Sequence, residues 1–465
     1  MSKIGVVIVD GVGFRNFFLS DFFISLQKTG QKAIIFSGLQ KENYQYVNEG
    51  LEVIELGIYK ERQSTWLFRK TKELAHLQRN KSSFAIANNL RNRYPQGRNI
   101  RSFIVKILIK LTSILHSENF IRKIYILQKT SFRRNNMVKS YYQILKDSGC
   151  DVLFFTHQRP PYLAPLDYAA KKLGIKTCSF IFSWDNLPSK GRMAAPFDSF
   201  LVWSDLMKEE LHHFYPETKN QPVEVVGTPQ FEPYVLDRYK SSEEDFRRNF
   251  GLDPSLKTIC YSCGDASTSK NDPVYIKVIA EFVQQNKLTE KVNFLVRTSP
   301  AEDGSRFKTL VEDFPFIKWN YPKWELTREN HPEPWSQRVP LQEDLTDLRS
   351  LLEYCDLNIN MCSTMSLDFM LFDKPVINPV FGTGDNGFYD DRKYLNYDHY
   401  KRVVESGAVA IVKNEEELLR EINYSLENPG ARLKEQKELV KLQIGKPLEG
   451  TSNRIAVALK SISEA

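Results

Sequence analysis

Apolar residues recur along the chain in short, nearly continuous runs separated by amphipathic stretches and glycine-bearing turns. KIGVVIV opens the sequence as such a run, and QKAIIFSG follows after FFLSDFFISLQKTG, a helical pattern stopped at Gly30. Continuous apolar runs joined by helices predict parallel strands covered on both faces. DGVGFRN, between the first run and the helix, reads as a glycine-containing turn. The alternation returns at DVLFFTH and continues through IKTCSFIFSW, DSFLVWS and VEVVGTPQF, with helices such as DLMKEELHHFYP between them. A charged stretch, SSEEDFRRNFGLDPSLK, then precedes a second series: TICYSC, VNFLVRTS, FIKWN, LNINM, PVINPV and VAIV. This predicts an α/β chain of two doubly wound domains in tandem. A last helix, TSNRIAVALKSIS, is expected to pack back on the first domain.

About 60 to 139 the pattern changes to helices with little strand character. Ile104, Ile107, Leu108, Leu111, Ile114 and Leu115 fall on one helical stripe, with Arg101, Lys106 and Lys110 off it. Charge is concentrated there: 19 Lys or Arg stand against 3 Glu, while the whole chain is only +7. So local a basic block implies an anionic partner. An anionic membrane surface is the expected one, because the aromatics are not interleaved with the basic residues as in a nucleic-acid platform. No run approaches a membrane span, and the amino-terminal apolar run is too short for a signal segment, so a cytoplasmic, peripheral protein is expected. The 6 cysteines read as small buried residues, including the pair Cys260 and Cys263 inside a strand.

Ligands of doubly wound sheets sit at the carboxyl ends of strands, so chemistry is sought in the loops that follow them. In the second domain these loops are CGDAST with Gly264 and Asp265, VRTSP with Arg297, and the crossover NMCSTMSLDFMLF. In the crossover, Ser363 and Thr364 stand where a strand runs into a short helix. Free backbone N–H groups and hydroxyls there suit an anion, although Ser and Thr also cap helices with no ligand. Asp368 is expected to reach a ribose hydroxyl. In the first domain the post-strand loops offer Asp10, Gly13, Arg15 and Asn16, then His157 and Arg159, then Trp184, Asp185, Asn186 and Lys190. An aromatic beside polar groups suits a sugar, and a Trp packed under a capped turn is the plainer reading. The first of these loops is G-x-G without the further glycine of a dinucleotide fingerprint.

The order DGVGFRNF, SWDN-x3-KG, FDSFLVWSDLMKEEL and VVGTPQF resembles glycosyltransferases of the GT-B fold from bacterial surface-polysaccharide pathways. CSTMSLDFMLFDKPVINP resembles the phosphate crossover of the group that holds the CDP-glycerol glycerophosphotransferases and the nucleotide-sugar 2-epimerase-like transferases. The resemblance implies two Rossmann-like domains facing a cleft. Residues 1–232 would bind the acceptor and carry the basic insertion. Residues 233–448 would bind the nucleotide donor, and residues 449–465 would return to the first domain. It implies donor binding by Gly264, Asp265, Arg297, Ser363, Thr364 and Asp368. Acceptor binding would fall to Gly13, Arg15, Asn16, Arg159, Trp184, Asn186 and Lys190. Such enzymes generally need no bound metal or other cofactor. The expected reaction moves a sugar from a nucleotide-sugar to a growing glycan, with a polyprenyl-diphosphate-linked acceptor at the inner face of the cell membrane. An inverting reaction needs a general base, for which Asp185 and Asp10 rank together and His157 behind them. The alternatives are a CDP-dependent glycerol- or ribitol-phosphate transferase, and a catalytically silent partner in a polysaccharide assembly complex.

Overall fold

The computed structural model describes residues 2–44 and 51–465. Internal packing divides the chain into two units. The first runs to Gln230 and takes in Thr327–Gln337 and Gln443–Ala465; the second comprises Phe231–Leu326 and Arg338–Leu442. The boundaries therefore fall at Gln230 and Gln443 rather than at residues 232 and 448, and the Thr327–Gln337 excursion has no counterpart in the sequence reading.

The first unit is built on strands β1 (Lys3–Ile8), β2 (Lys32–Ser37), β3 (Glu52–Glu55), β4 (Val152–Phe155), β5 (Lys176–Phe180), β6 (Ser199–Val202) and β7 (Val223–Val225). Their order is β3-β2-β1-β4-β5-β6-β7, and every pairing is parallel. β4 is buried along its whole length, as its uninterrupted apolar run requires when helices cover both faces. β3 is absent from the sequence reading because EVIE is a half-buried edge strand with too short an alternation to stand out.

The second unit carries β8 (Lys257–Ser262), β9 (Val292–Arg297), β10 (Lys318–Asn320), β11 (Trp324–Leu326), β12 (Arg338–Pro340), β13 (Leu357–Ile359), β14 (Val376–Pro379) and β15 (Ala410–Val412). Six of them form a parallel sheet ordered β10-β9-β8-β13-β14-β15. β11 and β12 make a separate antiparallel hairpin.

In both sheets the chain builds outward in one direction from its first strand and then crosses to that strand's other side. The reversal lies between β1 and β4 in one sheet and between β8 and β13 in the other. At such a point two successive crossovers leave on opposite faces, and a crevice opens beyond the strand ends.

Three further features bear on the site. DGVGFRN is helical rather than a turn: Gly11–Gly13 form one turn, and Phe14–Phe18 continue as a π-helix. The predicted helix after it is broken near Ser20, whose hydroxyl donates to the Phe17 carbonyl, and resumes at Phe22–Lys28. The basic block forms five helices, Gln63–Arg79, Phe84–Asn92, Ile100–Ile114, Glu118–Phe132 and Asn136–Ser148. The carboxy-terminal helix, Thr451–Glu464, buries Ile455, Ala456 and Leu459 within the first unit. Gln31 Nε2 donates to the Ala456 carbonyl at 2.9 Å, and Arg454 Nε donates to the Val226 carbonyl at 2.8 Å. The chain reaches this helix past Gly445, at φ +76°, where a Cβ would lie 2.7 Å from the Ser204 backbone.

Candidate active site

β1 and β4 end side by side at the reversal of the first sheet, and the residues just beyond them meet. His157 Nδ1 lies 2.9 Å from Asp10 Oδ2. The other Asp10 oxygen accepts from the Gly13 backbone N–H at 2.7 Å, so the carboxylate caps the first helical turn while it holds the imidazole. Gly13 is closely packed: a Cβ there would stand 3.0 Å from the Thr156 hydroxyl, which itself donates to the Val7 carbonyl at 2.8 Å. The His157 ring stacks on Phe182 with centroids 3.9 Å apart.

A carboxylate only accepts, so in the neutral ring Nδ1 carries the proton and Nε2 keeps its lone pair. Nε2 is buried and has no hydrogen-bond partner among the described residues. Burial lowers the imidazole's pKa, while the bond to Asp10 and its charge pull it back up. The result is a neutral, oriented imidazole with one free basic nitrogen, the state a general base requires. Asp10 touches the ring rather than standing free as a base.

The other acceptor-side residues are placed as follows. Asn16 is buried and accepts from Arg15 Nε at 3.0 Å. Trp184 is only 4% exposed, so the expected sugar-stacking face is covered. Asp185 is paired with Lys190 at 3.0 Å, and one of its oxygens accepts from Asn186 Nδ2 at 2.9 Å. Asn186 in turn accepts from Gln158 Nε2 at 3.0 Å. The SWDN cluster thus braces the loop after β5. Arg159, two residues beyond His157, makes no ion pair among the described residues.

In the second unit, the loops after β8, β13 and β14 are held by buried polar networks. Asn360 Oδ1 accepts from both the Ser363 backbone N–H and its hydroxyl at 3.0 Å, and from the Ser366 hydroxyl at 3.2 Å. Asn360 Nδ2 donates to Asn358 Oδ1 at 2.7 Å, and Asn378 Nδ2 donates to the Asn360 carbonyl at 2.7 Å. Tyr400 closes the set by donating to Asn378 Oδ1 at 2.7 Å. A fully satisfied network of this kind fixes the crossover, including Cys362 at φ 47°. Ser363 and Thr364 are half-buried ahead of the short helix Met365–Met370. The Ser363 hydroxyl also accepts from the Met365 N–H at 3.2 Å.

The loop after β8 is tied down similarly. Asp272 accepts from the Tyr261 hydroxyl at 2.7 Å and from the Gly264 N–H at 3.0 Å. Arg306 bridges Asp272 to the Gly264 and Ser269 carbonyls. Gly264 admits no side chain, since a Cβ would fall 2.0 Å from the Ser269 hydroxyl. Asp265 turns inward on its own loop, accepting from the Ser267 N–H.

Two expected donor contacts are otherwise engaged. Arg297 is buried, with both terminal bonds of one nitrogen on Asp344 at 3.0 and 2.9 Å and a further bond to Asn320. Its charge is thereby neutralised inside the unit rather than presented to a phosphate. Asp368 faces inward and accepts from the Tyr234 hydroxyl. The sequence reading overlooked the Asn358–Asn360–Asn378 ladder and the Asp272–Arg306 pair. The visible signal for the ladder was asparagine recurring inside apolar strands, in LNIN and VINP, where an unpaired amide would be costly. Among the described residues, no group of three or more His, Cys, Asp or Glu is arranged to hold a metal ion.

No family model matches the sequence, and no curated protein matches it. Solved structures do. The chain is similar to MnaA from S. aureus in its UDP co-structure, at 11% identity and TM-score 0.52 over 100% of this chain and 97% of the other. It is similar to a glycosyltransferase from Rickettsia africae at 12% identity and TM-score 0.53, over 100% and 98%. UDP-GlcNAc 2-epimerase from Neisseria meningitidis, bound to UDP-GlcNAc, matches at 9% identity and TM-score 0.51, over 99% and 100%. Likeness at this level of identity is likeness of fold. With two parallel doubly wound units matched end to end against such structures, the chain has the GT-B fold.

Proposed function

We propose that the protein is a glycosyltransferase that moves a sugar from a nucleotide-activated donor to a hydroxyl of a growing, lipid-linked surface glycan. The observation that carries this reading is the Asp10–His157 pair at the crossover reversal of the first sheet. In the reaction, the acceptor hydroxyl gives its proton to His157 Nε2 as its oxygen attacks the anomeric carbon. The bond from that carbon to the diphosphate breaks, and the nucleoside diphosphate leaves. Asp10 keeps the ring in its productive tautomer and stabilises the imidazolium that forms. A single displacement of this kind inverts the anomeric centre.

The donor's diphosphate is assigned to the second sheet's reversal, between the Gly264 loop and the Ser363–Thr364 crossover. Backbone N–H groups and hydroxyls held in advance offset developing negative charge without reorganising. The reading calls on no resident metal or cofactor. It also places the enzyme on an anionic membrane surface through the basic helices. No helix among the described residues is long and apolar enough to cross a membrane.

The test is thermal stabilisation by UDP, GDP, CDP, CMP and dTDP, on the wild type and on Ser363→Ala/Thr364→Ala. A nucleotide at about a hundred times its dissociation constant adds about 2.7 kcal/mol to stability. One nucleotide is expected to stabilise the wild type and to lose most of that effect in the double variant. The matching nucleotide-sugar is then supplied with and without a glycan acceptor. Transfer that needs both an acceptor and His157 supports the proposal. Epimerisation of the sugar without an acceptor overturns it, as does the absence of any nucleotide effect.

A further inference from the structure

Arg159 leads into a cavity of about 330 Å³ in the first unit, formed between the basic helices and the loops after β4 and β5. Its lining carries six cations, Arg69, Lys70, Lys72, Arg93, Arg159 and Arg192, against two carboxylates, Glu73 and Glu333. Four of the cations are already matched. Arg69 binds Glu61 through two nitrogens, at 2.7 and 2.8 Å. Lys70 and Arg93 share Glu73 at 3.1 and 3.0 Å, and Arg192 lies between Glu118 and Glu217.

Lys72 and Arg159 are not matched. Lys72 is buried, and among the described residues its ammonium contacts the Ala194 carbonyl at 3.4 Å and the face of Tyr125 at 4.7 Å. Arg159 has no hydrogen-bond or ion-pair partner among the described residues. Burial pushes the Lys72 ammonium down to about 7 and lowers the Arg159 guanidinium as well. Lys72 is only 4% exposed and Arg159 is half-buried, neither has a carboxylate in contact among the described residues, and an anion would supply the partner that each lacks.

Resting on the transferase reading, we propose that this cavity seats a phosphoryl group of the acceptor, held by Lys72 and by Arg159 of the loop that carries His157. A phosphoryl group fits better than a carboxylate. It carries more charge and more acceptor oxygens, and a guanidinium with an ammonium can engage it from two sides. Arg159 is two residues from His157 in the same loop, so the anchored phosphoryl and the attacking hydroxyl belong to one acceptor molecule. The anchor would then serve to position the hydroxyl.

The experiment is binding of pyrophosphate, inorganic phosphate and acetate by calorimetry, on the wild type, Arg159→Gln, Lys72→Met and Ser363→Ala/Thr364→Ala. Pyrophosphate is expected to bind the wild type with two components and the Ser363/Thr364 variant with one, and that retained component is expected to weaken at least tenfold in Arg159→Gln and Lys72→Met. Stabilisation by the donor nucleotide is expected to survive in both of those variants, which shows that they fold. Pyrophosphate binding that is unchanged in both variants, or lost only in the Ser363/Thr364 variant, overturns the proposal. Acetate binding as tightly as pyrophosphate overturns the phosphoryl assignment. A short isoprenyl diphosphate and a hexose 1-phosphate then compete for the site, and whichever displaces pyrophosphate at lower concentration identifies the lipid or the saccharide as the source. A positive anion result without sugar transfer would retain the site and reject the transferase reading. Transfer without anion binding would do the reverse.

Discussion

His157 shows how a side chain's neighbours decide its chemistry. Burial lowers its pKa below the ordinary 6.5, so the ring is neutral above that value and Nε2 is free to accept a proton. On the proposed mechanism, kcat/KM rises with pH through a midpoint below 6.5 and falls on acidification. The linked effect on stability has the same sign. Between the lowered value and 6.5 the unfolded chain binds more protons than the native one, so stability declines as pH falls through that window. His157→Ala should cost roughly 10²–10⁴-fold in kcat with little change in donor affinity. Asp10→Asn removes the carboxylate that raises the imidazole, so it should lower kcat and move the acid limb to still lower pH. A pH profile unmoved by Asp10→Asn would exclude His157 as the titrating base. Asp10 and His157 were both visible as polar residues after apolar strands. Their contact was not, because 147 positions separate them along the chain.

At the scale of the element, the helix Ile100–Ile114 is the instructive case. Periodicity assigned it one apolar stripe, and the structure gives it two. Val105 and Leu108 face inward against Leu74 of the helix Gln63–Arg79. Ile100, Phe103 and Ile114 are 80%, 64% and 79% exposed, and Ile107 and Leu111 continue the outer row. Ile107, Leu111 and Ile114 of the expected amphipathic stripe are thus on the outside, because the neighbouring helix covers only one side. Arg98, Arg101 and Lys110 are exposed close to that row. An outward apolar row with cations beside it fits an anionic bilayer, where the apolar side chains enter the interface and the charges meet the headgroups. Ile100→Ser/Phe103→Ser/Ile114→Ser should abolish co-sedimentation with anionic vesicles. It should leave stability within about 0.5 kcal/mol per substitution, since these side chains make little contact within the protein. Retained vesicle binding by the triple variant, or equal binding to neutral vesicles, would remove the membrane assignment.

At the scale of the whole molecule, the carboxy-terminal helix is part of the first unit although the second unit intervenes in sequence. Removing residues 449–465 would expose the surface covered by Ile455, Ala456 and Leu459 and strip Gln31 Nε2 of its bond to Ala456. Burial of two large aliphatic side chains is worth about 1.5–3 kcal/mol each, so the truncated chain should unfold at clearly lower temperature. Hydrogen exchange should locate the weakening at Phe22–Lys28 and Val152–Phe155 of the first unit. Unchanged protection there would show that the helix contributes little. The sequence by itself determined most of the strand and helix succession, the two parallel sheets, the helical basic block and the loops that follow the strands. These follow from local periodicity and turn chemistry, which act over a few residues. Only the tertiary structure decided which loop residues meet and which are spent on support. Pairing His157 with Asp10, closing Arg297 onto Asp344, burying Trp184 and leaving Arg159 and Lys72 unmatched all depend on contacts between distant segments. Such contacts exist only once burial and charge compensation are settled in three dimensions.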